Sequence, residues 1–167
     1  MHINNNHIAL REHLSTHPDA ILERVAAEYN LTLLDVLRCF PEGFVIEREG
    51  DGFIAALQAI ANWGDVTTII HTSDIIIEFD GKLPPGSLGH GFYNLSGKSG
   101  LSGHLRPHRC ARIAFIERPF MGLPTAGVIF INPEGGCMFK IFTKRLASNE
   151  LNPFQLKALR ELAERLA

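Results

Sequence analysis

Residues 66–79 read VTTIIHTSDIIIEF, and the change of period inside them decides the fold. Before Val66, apolar side chains return every three or four residues, the spacing of a helix buried on one side. From Val66 they alternate or run together as β-branched residues, broken at Ser73-Asp74, which is the pattern of two strands and a turn. Thr67, Ile69 and His71 then share one strand face by the period of two, and Ile76 shares another with Asp74 and Glu78.

Working outward toward the N-terminus, Phe53, Ile54, Leu57, Ile60 and Ala61 form one helical stripe. Thr32 with Asp35 caps a second helix through Leu33, Leu34, Val36 and Leu37, which Pro41 stops. Thr16-His17-Pro18 opens another, with Ile21, Leu22, Val25, Ala26 and Tyr29 on one side and Asn30 at its end. Toward the C-terminus, GFYNLS, LSGHLR, ARIAFIER, AGVIFIN and CMFKIFTK are further strands, with no helical pattern between them to make crossovers. Asn152-Pro153, with Gln155 at the third position, caps a last helix whose Leu159, Leu162, Ala163 and Leu166 lie on one side. The expected architecture is one α+β domain over 1–167: helical 7–63, a large antiparallel meander over 66–145 and a C-terminal helix over 152–166.

Composition narrows the function. A chain of 167 residues can bury a full core, roughly 70% of its unfolded surface. Sixteen Lys and Arg against eighteen Asp and Glu give a net charge of -2, which leaves no bulk positive field for nucleic acid or an anionic membrane. The longest mostly apolar run, 53–63, is far short of the roughly 20 residues of a membrane span, and the polar start MHINNNHIALREH is unlike an export signal. Cys39, Cys110 and Cys137 are odd in number and widely spaced, which suits three reduced thiols in a cytoplasmic protein.

Motif matches for common chemistries fail on context. Gly97-Lys98-Ser99 has the tail of a phosphate loop, but the glycine needed five residues earlier is Phe92, and Gly103 and Pro107 bar a following helix. Ser96, Ser99 and Ser102 lie in no nucleophile elbow. VAAEYNLTLLDVLR has the outline of a helix-turn-helix, yet its second helix offers one Arg beside an Asp to meet phosphates. His13 and His17 have helical metal-pair spacing without the intervening Glu of a zinc protease, and His104 and His108 have it in a segment that cannot be helical. A zinc site assembled in space stays open, as does a structural role for His71. His104 shares a strand face with Arg106 and has Gly100 and Gly103 beside it, which would let a flat ligand approach the backbone.

Taken together, PDAILERVAAEYNLTLLDVLRCFP, NWGDVTTIIHTSDIIIEFDGKLP, HGFYNLSGKSGLSGH, ARIAFIERPFMGLPTAG and GGCMFKIF give the chain a resemblance, over nearly its whole length, to the HutX/ChuX-type family of intracellular haem-utilisation carriers. The resemblance implies an α+β fold like one half of the tandem haem-trafficking and haem-degrading proteins, and a homodimer. It implies haem as the ligand, with His71 of TTIIHT and His104 of LSGH on the iron. A haem site needs an apolar wall, imidazole and cations for the propionates, which Ile69, Ile76 and Phe92 with Lys98 and Arg106 can supply. The function expected is haem binding and transfer without catalysis, with a haem-degrading enzyme as acceptor. The alternative is haem degradation by this chain itself.

Overall fold

The computed structural model describes residues 2–97 and 100–167. In chain order the described residues form α1 (His2–Thr16), α2 (Leu22–Tyr29), α3 (Leu33–Arg38), β1 (Val45–Glu49), α4 (Phe53–Ile60), β2 (Asp65–His71) and β3 (Ile76–Lys82). There follow β4 (Gly86–Gly89), β5 (Phe92–Leu95), β6 (Gly103–Leu105), β7 (Arg112–Phe120), β8 (Leu123–Ile131), β9 (Cys137–Phe142) and α5 (Pro153–Arg165). The α+β class and the antiparallel pairing are as expected, but the strands divide into two sheets. β1-β7-β8-β9-β2-β3 make the large one, and β4-β5-β6 a small one. The sequence marks strands by composition, whereas pairing partners are chosen by which faces must be covered.

Both faces of the large sheet are covered at its centre, which is why IAFI (113–116) and GVIFI (127–131) are apolar without interruption. Ile113, Phe115, Val128 and Phe130 pack in one cluster with Phe53, Leu57 and Ile60 of α4 and Leu159 and Leu162 of α5. The alternate residues Ala114, Ile116, Ile129 and Ile131 pack with Leu10, Leu14, Val25, Val36 and Leu37 of the first three helices. Each large side chain so buried contributes roughly 1.5–3 kcal/mol. Tyr93 and Leu95 of β5 join the α4–α5 cluster, so the small sheet rests on that side of the molecule.

The local signals are mostly where the sequence places them. Asn30 ends α2 in the left-handed conformation (φ 52°), its N–H bonded back to Ala26 and Ala27. Thr32 and Asp35 complete a reciprocal capping box. Asn152 accepts from the N–H groups of Phe154 and Gln155, with Pro153 in the first turn of α5. The reciprocal half of that last cap is not made. Gln155 is instead buried, accepting from the Lys144 N–H at 2.7 Å and donating to the Trp63 and Asp65 carbonyls at 2.9 and 2.7 Å. It joins α5 to the end of α4, the start of β2 and the segment after β9.

Two strands lie where none is expected. β1 interrupts the helical first third, because VIERE pairs with β7 at the sheet edge and its charges find partners. Arg38 holds Glu47 with two bonds at 2.8 and 2.6 Å, and Arg112 reaches both Glu47 and Glu49. β4 is the first arm of a hairpin whose two-residue turn, His90-Gly91, has both φ angles positive (55° and 81°), the conformation that matches strand twist. Lys98 and Ser99 of the phosphate-loop tail lie outside the described residues, and the described residues that follow them lead into β6, not into the helix a phosphate loop needs.

Candidate functional site

The residues of VTTIIHT that share a face, Thr67, Ile69 and His71, line a cavity of about 790 Å³. Ile76, Glu78 and Asp80 of β3 and Lys140 and Phe142 of β9 continue its wall, and Arg118 and Phe120 of β7 and the segment 143–146 complete it. Asp74, expected to share the Ile76 face, lies instead in the turn between β2 and β3, where its N–H donates to Thr72 Oγ1 at 3.2 Å. His71, the last residue of β2, is partly buried, and its Nδ1 lies 3.3 Å from Glu23 Oε1. Glu23 comes from the first turn of α2, where the helix dipole favours negative charge. Its other partner is the ammonium of Lys140, a residue only 6% exposed.

Burial alone would push the Glu23 carboxyl up. The Lys140 ammonium, the Glu23 N–H and His71 outweigh it and hold the group below its ordinary value. Arg118 is a second, partly buried cation on the wall. Its guanidinium donates to the carbonyls of Pro18 and Ala20 at 2.9 and 2.6 Å and stands over the rings of Phe40 and Phe120 at 5.9 and 5.2 Å. Burial lowers its pKa, with the Glu23 and Asp19 carboxylates opposing. Nearer the rim, Lys144 donates to Thr67 Oγ1 at 2.9 Å and pairs with Asp80.

His104 is elsewhere. It is an exposed residue of β6, paired in register with Asn94, and its Nδ1 is 2.6 Å from Asn94 Oδ1. Its ring meets the edge of Phe92 at 5.7 Å, and the Arg106 guanidinium lies over the same phenyl ring at 5.1 Å. The structure thus brings His104, Phe92 and Arg106 together on the small sheet, and His71, Ile69 and Ile76 together on the large one. His104 is not among the residues lining the His71 cavity. Lys98 lies outside the described residues.

Among the described residues no three His, Cys, Asp or Glu side chains gather as a metal site, so the assembled zinc site has no donors there. A single imidazole beside an apolar wall suits instead an iron whose other ligands come with it, as in a porphyrin. Ile69, Ile76, Phe120 and Phe142 form that wall, and Lys144 and Arg145 supply cations at it. Sequence reasoning missed Glu23, Lys140, Arg118 and Lys144. Lys140 alone carried a signal, as a lysine in the apolar strand CMFKIF.

Comparison with known proteins agrees with this architecture. HutX, the intracellular haem transport protein of Vibrio cholerae, is 30% identical over 152 residues, which span 90% of this chain and 79% of that one. The crystallised haem-binding protein ChuX is 44% identical and superposes with a TM-score of 0.85, covering 94% of this chain and 98% of its own. PhuS of Pseudomonas aeruginosa, at 16% identity and a TM-score of 0.73, shares the fold, and this chain covers 46% of it, the expected one half. The model of the haem utilisation ChuX/HutX family matches residues 46–162, from β1 into α5, and the chain belongs to that family.

Proposed function

We propose that this protein binds haem and carries it inside the cell, without itself degrading it. The observation that carries the proposal is the partly buried His71 on the wall of a cavity of about 790 Å³, a size within the range of small-molecule sites. Relatives named for haem transport and haem binding support a carrier over an enzyme. His71 is the axial ligand offered by the cavity, and His104 is the second, exposed one. Arg106 and Lys98 serve the propionates, Arg106 being held beside His104 by Phe92. An exposed second imidazole suits a carrier, since a ligand that an acceptor can displace lets haem leave.

The reading extends to the surroundings. A haem-degrading enzyme is the acceptor, and the cytoplasm is the compartment. Three free thiols support the latter, with burial pushing Cys110 up to about 11 and Cys137 up to about 12. No helix among the described residues is long and apolar enough to cross a membrane. A homodimer is supported by β3, an edge strand whose Ile76 and Ile77 are 60% and 51% exposed, with Ile75 just before it 52% exposed. Ile77→Lys should then lower the sedimenting mass to that of one chain, and a variant that sediments like the parent removes β3 from the interface.

Titration with haemin tests the central claim. The Soret band should shift and saturate near one haem per chain, and His71→Ala and His104→Ala should each alter the spectrum. Unchanged spectra in both variants would remove the pair as ligands.

A further inference from the structure

We propose that Asn94 is a positioning residue: it fixes the tautomer of His104, so that Nε2 is the nitrogen with a free lone pair for iron. The inference rests on the reading of His104 as a haem ligand. The argument begins with the orientation of the amide. Asn94 Nδ2 has the carbonyl oxygens of Ser87, Gly89 and Phe92 around it at 3.3, 3.1 and 3.4 Å. Reversing the amide would set Oδ1 against these three oxygens, with no donor between them. Oδ1 therefore faces His104, and an amide oxygen only accepts. At 2.6 Å from it, His104 Nδ1 must be the donor. A neutral imidazole has one N–H, so Nε2 keeps its lone pair.

Three strands cooperate in this. Asn94 sits at the centre of the small sheet, opposite Ser87 of β4 and His104 of β6. Gly89 leaves room for the amide, since a Cβ there would lie 3.3 Å from Nδ2. Phe92 bounds the imidazole on one edge. Free histidine in water prefers the opposite tautomer, with the proton on Nε2, which must move before a metal can bind there. Asn94 removes that step for an exposed ring that has little else to set it. Outer partners of this kind change metal affinity by roughly 10–100-fold.

The test uses the full chain in two states. Nitrogen-15 NMR of the haem-free protein, with the His104 signals identified by their loss in His104→Ala, should show the Nδ1–H tautomer. In Asn94→Ala the ring should revert toward Nε2–H. If the alanine variant loses the small sheet, Asn94→Thr serves in its place, a residue suited to strands whose hydroxyl ends one bond short of the ring. With haemin loaded and an excess of a haem-scavenging apoglobin present, Asn94→Ala should release haem roughly 10-fold faster than the parent. An Nε2–H parent, or a tautomer that survives in a folded Asn94→Ala or Asn94→Thr, overturns the proposal. So does an unchanged release rate in Asn94→Ala where His104→Ala accelerates release. Should His104→Ala itself bind haemin like the parent, the ligand assignment falls and the proposal with it, while the NMR result shows separately whether the hydrogen bond was read correctly.

Discussion

The two histidines end up in opposite surroundings. On the large sheet His71 is partly buried, and behind its Nδ1 stands a carboxylate that is itself tied to a buried ammonium. On the small sheet His104 is exposed, and behind its Nδ1 stands a neutral amide held by three carbonyls. The same side chain is thus anchored by charge in one place and by hydrogen-bond geometry in the other. A carboxylate paired with a buried ammonium is costly to remove, while a neutral amide at a surface orients at little energetic risk. On the proposed reading of both as haem ligands, the difference suits a carrier, in which one ligand must hold and another must yield.

Removing each backing partner should expose this contrast most plainly. Glu23→Ala leaves Lys140 buried without its counter-charge, and urea denaturation should show a loss of about 3 kcal/mol. Asn94→Ala should cost about 1 kcal/mol in the same measurement. Equal losses would erase the distinction drawn between the sheets. Gly86→Val comes next, since a Cβ there collides with the Tyr93 ring and lies 2.9 Å from the Asn94 carbonyl oxygen. It should cost about 2 kcal/mol, with amide exchange accelerated in the small sheet and unchanged in β7 and β8. Uniform acceleration would mean that the two sheets unfold as one.

Acid sharpens the comparison on the His71 side. Glu23 has a pKa below its ordinary 4.5 in the folded chain, so it binds fewer protons folded than unfolded over that window. Its contribution is complete above about pH 4.5 and is lost as pH falls through the lower, folded value. The stability difference between parent and Glu23→Gln should therefore shrink below that pH, and a difference that stays constant down to pH 3 would deny the carboxylate its part. The smallest effect belongs to the haem-free His104→Ala, an exposed position whose stability should stay within about 0.5 kcal/mol of the parent.

Individual elements were legible and their assembly was not. Asn30, Thr32 with Asp35, and Asn152 mark helix ends through bonds made within a few residues, so the sequence exposes them. β1 hid because VIERE has no alternation of apolar and polar residues. Its place depends on pairing with β7 and on Arg38 and Arg112, remote in the chain. His71 and His104 stood out, one as a polar residue in an apolar strand and the other through the family pattern. Glu23 looked like any solvated helix residue, and nothing local tells that Lys140 will be brought against it. Asn94 shared that fate, being one polar residue in GFYNLS until β4 and β6 close on either side of it.

The side-chain amide of Gln155 has a practical bearing on how this protein is handled. It grips the backbone on both sides of the junction where the strand leading to His71 begins, and it does so from the last helix. A shortened version ending before that residue would keep every ligand candidate yet lose the clasp that sets the base of the pocket.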